Sequence, residues 1–113
     1  MSKAIEDIAA ERKRQIEQER WTPEHDDSHD GGELCAAAAC YAATAASKQL
    51  YSSSDDTAIA ITILTGRIWP WGNRWWKPGT VRRMLVKAGA LIVAEIERLD
   101  RAAAADAPPV EGE

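Results

Sequence analysis

Trp69, Trp71, Trp75 and Trp76 fall within eight residues, in a chain of 113 that has five Trp and no Phe. Asn73, Arg74, Lys77, Arg82 and Arg83 surround them. Indole faces beside cations suit a nucleotide-type ligand, because the base stacks on a ring while the phosphates meet guanidinium and ammonium groups. The expected contacts are Trp71, Trp75 and Trp76 for stacking, with Arg74, Lys77, Arg82 and Arg83 for phosphate. Arg82 and Arg83 also fall in the first turn of a predicted helix, where unpaired backbone N–H groups favour an anion. The competing use of the same rings is structural. Two or three of the indoles are expected to cover helix ends in place of the missing Phe.

A second constellation has the opposite charge. From Glu24 to Glu33 the chain carries Glu24, Asp26, Asp27, Asp30 and Glu33, with His25 and His29 four apart and no Lys or Arg. His25, Asp26, Asp27, His29 and Glu33 are candidate ligands for a divalent metal or, alternatively, members of a polar capping turn. The lack of closed zinc spacing favours the turn. From Ala58 to Ala94 the pattern reverses: Arg67, Arg74, Lys77, Arg82, Arg83 and Lys87 occur without an Asp or Glu. Segregated charges attract, so the acidic turn is expected to lie near Arg82 or Arg83.

Helices must position these groups. Residues 3 to 20 are strong helix formers, with Ile5, Ile8, Ala9, Arg12 and Ile16 on one narrow stripe. Thr22 and Pro23 form an N-cap and first-turn signature for a helix of one or two turns. Asp30 is the expected cap of the next helix, with Glu33 at its third position, and that Ala-dominated helix runs to about Leu50. In residues 58 to 65, Ile59, Ile61 and Ile63 alternate with Ala60, Thr62 and Leu64, so the segment reads equally as a short strand or a short helix. Pro70, Gly72, Pro78 and Gly79 make the Trp segment an ordered loop. Thr80 caps a last helix with a stripe of Val81, Leu85, Ala88, Ile92, Ile96 and Leu99. The predicted fold is all-α, a small bundle of three to four helices in one domain over 1–101, with a disordered tail over 102–113.

Composition narrows the function classes. A net charge of -4 and a pI near 5.2 make double-stranded nucleic acid an unfavourable partner. No apolar run approaches the length of a membrane span, and the N-terminus has no secretory signal, so the chain is read as cytoplasmic and without a membrane partner. Cys35 and Cys40 fall on different helix faces and are expected to be small core residues. The thin stripe on the first helix, the Ala-rich helix and the Ile-rich segment leave apolar surface that favours a homo-oligomer.

The chain resembles a family of small accessory proteins encoded by tailed phages and prophages. The resemblance rests on Glu11-Arg12-Lys13-Arg14-Gln15, Trp21-Thr22-Pro23-Glu24-His25-Asp26-Asp27, Trp69-Pro70-Trp71, Trp75-Trp76-Lys77-Pro78 and the run from Lys87 to Arg101. It implies an accessory role in an infected bacterial host and names no reaction. A weaker resemblance is to all-helical nucleotide pyrophosphohydrolases of the MazG type, which bind magnesium through two acidic pairs. Glu24 with Asp27 and Glu97 with Asp100 each match the second pair, Glu-x-x-Asp, while the first, Glu-x-x-Glu, is missing.

These readings converge on a phage accessory protein that sequesters a nucleotide-type ligand, such as a host immune signal, with no catalytic residue and no cofactor. The alternatives are a metal-dependent pyrophosphohydrolase, which would need magnesium or another divalent ion, and an inhibitor that grips a host protein through the Trp loop.

Overall fold

The computed structural model describes residues 1–106, and every regular element among them is helical. Helix α1 spans Lys3–Gln18, α2 Pro23–Asp27, α3 Glu33–Leu50, α4 Asp56–Ile68 and α5 Val81–Asp106, with one 3-10 turn at Asn73–Trp75. None of these helices is long and apolar enough to cross a membrane.

Local chemistry sets most boundaries. The Ser2 hydroxyl accepts from the Ile5 N–H at 3.2 Å, and the Thr22 hydroxyl accepts from the His25 N–H at 3.2 Å with Pro23 behind it. Thr80 caps α5 by accepting from the Arg83 N–H at 3.1 Å. After α1 the chain turns through Arg20 at φ 64°, and the Trp21 N–H returns to the Gln15 carbonyl at 2.9 Å. A left-handed arginine is unusual, since that conformation costs little only for glycine.

The start of α3 departs from expectation. Its N-cap is Gly32, at φ 96° and without a side-chain cap, so Glu33 is the first helical residue and Asp30 does not cap. The positive φ explains the choice of residue. Residues 58 to 65 are helical. Asp55 caps α4 by accepting from the Thr57 N–H at 2.8 Å, and Ala58 and Thr65, seven apart, are the buried pair that seats α4 on α3. With no strand among the described residues to pair with, the period-two pattern yields to the cap.

The core lies between α3 and α5. Leu34, Ala37, Ala38, Tyr41 and Ala45 of α3 meet Met84, Ala88, Leu91 and Ala94 of α5. Alternating Ala with larger side chains lets the two backbones approach closely. The core stripe of α5 is offset from the expected one: of that stripe only Ala88 is in the core, while Leu85, Ile92, Ile96 and Leu99 are half-exposed. Helix α1 packs on α5, and α2 also rests on α5. Cys40 is buried with its thiol directed at the Thr65 carbonyl. Cys35, expected in the core, is exposed on the opposite side of α3. The last helix continues through residues 102–106, which the sequence assigns to a frayed end. Residues 107–113, the rest of that expected tail, lie outside the described residues.

Candidate binding cleft

The loop after α4 folds its indoles onto α3. Trp76 stacks on Tyr41 with centroids 4.8 Å apart and an interplanar angle of 23°. Trp69 meets Tyr41 edge-on at 5.6 Å and Trp76 at 4.9 Å. The Tyr41 hydroxyl accepts from the Lys77 N–H at 3.3 Å, which fixes the loop's descending arm. Burial pushes the Tyr41 phenol up, so it stays a neutral donor and acceptor. Trp69 and Trp76 therefore carry structure, as the rings of a missing Phe would.

Trp71 and Trp75 do something different. Trp71 lies 5.5 Å from Trp69 and turns outward to Trp21, at 5.1 Å, and to His29, at 5.5 Å. Trp21, His29 and Trp71, together with Glu19, Arg20, His25, Gly72 and Trp75, line a cleft of about 320 Å³ between the end of α1, α2 and the Trp loop. That volume is within the range of small-molecule sites. The Arg74 guanidinium lies 4.7 Å over the Trp75 ring and the Lys77 ammonium 5.7 Å from it, so the indole at the rim is already paired with cations.

One edge of the cleft is a chain of titratable groups. The His29 Nδ1 is 3.1 Å from a Glu33 carboxylate oxygen, and the His29 and His25 Nε2 atoms are 3.0 Å apart. If His29 gives its Nδ1–H to Glu33, its Nε2 accepts from the His25 Nε2–H, and two full imidazolium ions cannot share that contact. Burial and the neighbouring His29 hold the His25 pKa below its usual value, against the opposing charge of Asp26.

The other acidic residues do not join this chain. Asp26 is fully buried and accepts from Arg12, which also donates to the Trp21 carbonyl at 3.1 Å. Burial pushes the Asp26 carboxyl up while Arg12 opposes it. Asp27 pairs with Arg101 at 2.7 Å. The five expected metal or polar residues thus point in three directions, and no group of three His, Cys, Asp or Glu among the described residues is placed to hold a metal ion. Glu97, an acidic residue of the MazG-type comparison, faces Arg12 at 3.5 Å.

Arg82 and Arg83 are also placed differently from expectation. Arg82 pairs with Asp7 at 2.8 Å and Arg83 with the buried Glu11, so their partners are on α1 and not in the acidic turn. Burial pushes Glu11 up, but Arg14 and Arg83 outweigh it and leave the carboxyl below its usual range. Arg14 binds Glu11 at 2.8 Å and Glu19 at 3.1 Å, and Lys77 reaches Glu19 at 3.6 Å. Of the basic block, Arg82 and Arg83 thus find their acids on α1 and Lys77 finds one at its C-cap. Trp76 with Trp69, Thr44, Lys48 and Asn73 lines a separate hollow of about 310 Å³ on the α3–α4 side.

Of the expected contacts, Trp71 and Trp75 line the first cleft, Arg74 and Lys77 stand against Trp75, and Trp76, Arg82 and Arg83 lie outside it. The sequence reading omits Glu19, Arg20 and Trp21 from the site. Their signal is the position of Trp21 directly before the Thr22-Pro23 cap, which ties it to the His turn. No family model, curated relative or solved structure matches the chain.

Proposed function

We propose that the chain binds and sequesters a nucleotide-type ligand in the cleft between Trp21, Trp71 and Trp75. The observation that carries this reading is the cleft itself, with three indoles and two imidazoles around a space large enough for a base and sugar. Flat heteroaromatic rings bind such walls with little dependence on sequence or substituent, while phosphates need cations nearby. Arg20 on the lining and Arg74, stacked over the Trp75 ring, take that role in place of Arg82 and Arg83, and neither has an acidic partner among the described residues. Capture is the whole activity on this reading, in an accessory protein of phage type acting in the bacterial cytoplasm as a homo-oligomer.

Metal-dependent hydrolysis of the same ligand requires several carboxylates to converge on one ion. Asp26 and Asp27, its nearest candidates, are engaged by Arg12 and Arg101. A grip on a host protein would use the same Trp loop.

Calorimetry with nucleoside mono-, di- and triphosphates and cyclic dinucleotides, with and without magnesium, tests the reading. Binding without metal and without product, weakened in Trp75→Ala, is the expected result. Metal-dependent product would favour the hydrolase, and failure of every nucleotide to bind would overturn capture and favour the protein partner.

A further inference from the structure

The imidazole pair on the cleft wall has a geometry of its own. The His25 and His29 Nε2 atoms are 3.0 Å apart, and the ring centroids are 4.6 Å apart. A straight Nε2–H···Nε2 bond of that length would hold the centroids about 5.3 Å apart, and hydrogen bonds prefer to be straight. A proton shared between these rings therefore makes a bent bond. Two imidazole lone pairs that meet at about a right angle on one ion, with metal–nitrogen bonds of about 2.0–2.1 Å, put the nitrogens about 2.9 Å and the centroids about 4.6 Å apart. The observed separations match that arrangement.

We propose that His25 and His29 together bind one divalent transition-metal ion of the nickel or copper class at the edge of the cleft. Glu33 supports the pair from behind. Its carboxylate lies 3.1 Å from the His29 Nδ1, and a carboxylate that takes the Nδ1–H fixes the ring and leaves the Nε2 lone pair for a metal. Both imidazoles line the cleft, so water or oxygen atoms of a small molecule have room at the remaining positions of the ion. The right angle also selects the metal. Nitrogen donors so placed suit nickel(II) and copper(II), whereas tetrahedral zinc would need the pair to open and magnesium prefers oxygen ligands. No third His, Cys, Asp or Glu among the described residues is placed to join the two, so the ion is exchangeable and not enclosed. It would tie α2 to the first residue of α3 across residues 28–32. The site does not depend on nucleotide binding, and it is not the carboxylate clamp that hydrolysis would need.

The test uses the untagged full chain with Cys35→Ser, because the exposed thiol is itself a metal ligand while Cys40 is buried. Calorimetry with nickel chloride at about pH 7.5, where an ordinary imidazole is neutral, should show one ion per chain, and magnesium chloride should give no heat. His25→Gln and His29→Gln should each weaken nickel binding at least about tenfold, and Glu33→Gln by about tenfold, the loss expected when the carboxylate behind a ligating histidine is removed. Nickel should raise the Tm of the parent chain and not that of His29→Gln. Because these are the two histidines of the chain, paramagnetic nickel should broaden two sets of imidazole proton signals together, a readout that needs no variant to fold. Nickel affinity unchanged in both histidine variants would mark an adventitious ion only and overturn the site, as would imidazole signals that nickel leaves sharp. A chain that binds nickel through this pair and takes no nucleotide would support the ion site while overturning capture.

Discussion

Arg12 and Asp26, fourteen residues apart, are buried against each other, with side chains 9% and 0% exposed. The same guanidinium holds the Trp21 carbonyl at 3.1 Å and faces Glu97 of α5 at 3.5 Å. One side chain on α1 thus fixes α2 and the Trp21 wall of the cleft. Arg12→Ala should cost about 3 to 5 kcal/mol in denaturant unfolding, since it strands a buried carboxylate. The double variant with Asp26→Ala should recover part of that loss, and Arg12→Lys should recover less, because an ammonium cannot reproduce the planar fork.

The indoles should separate by role. Trp75→Ala should weaken nucleotide binding by about 1 to 3 kcal/mol with little change in Tm. Trp76→Ala should lower Tm instead, because it removes a ring stacked on the buried Tyr41. Arg74→Ala should weaken an anionic ligand, whereas Arg82→Ala should not, since Arg82 is held by Asp7. Calorimetry and thermal melts on the same four variants check this.

The His25 pair predicts a sign for pH dependence. His25 titrates below its reference value of 6.5 in the folded chain, so between that lowered value and 6.5 the unfolded chain binds more protons than the folded one. Stability contributed by this group is complete above the unfolded value and is lost as pH falls through the folded value. Unfolding free energy should therefore decline as pH falls below 6.5 toward the lowered folded value, and His25→Asn should flatten part of that decline.

Gly89 is constrained by Ile8. A Cβ at Gly89 would sit 2.8 Å from the Ile8 Cδ1 and 3.1 Å from its Cγ1. Gly89→Ala should be destabilising in the wild-type background, although an Ala inside a helix is worth about 1 kcal/mol over Gly. In an Ile8→Ala background the same substitution should be stabilising by about that amount, as a double-mutant cycle by thermal unfolding would show.

The helical class, the caps at Thr22 and Thr80 and the Ala-rich α3 are legible in the sequence because each depends on residues within one turn. The Asp55 cap is equally local, and weighing it above the Ile alternation assigns α4 to helix. Gly32 displaces Asp30 because a left-handed residue is needed there, a condition that only the path of the chain imposes. The fate of the charges is the least legible part. Arg12 stands on the expected stripe of α1, but the burial of Glu11 and Gln15 beside it depends on Arg14, Arg83 and the crossing of α5. Counting charges along the chain pairs the basic block with the nearest acidic run. The fold instead pairs it with α1, some seventy residues away in sequence, as Arg83 and Glu11 show.

The aromatic layer also gives the molecule an intrinsic optical signature. Trp21, Trp71, Trp69, Trp76 and Tyr41 form a continuous series of neighbours with centroids 4.8 to 5.5 Å apart. At such separations the electronic transitions of adjacent rings mix, and their tilted planes make the mixed excitations chiral. Trp21 closes one end of the series and also walls the cleft, so a molecule wedged beside it would change the coupling along the row. Unlabelled protein should thus show an indole exciton couplet in the far ultraviolet, where the intense indole transition lies, and disturbing either end of the row should change it.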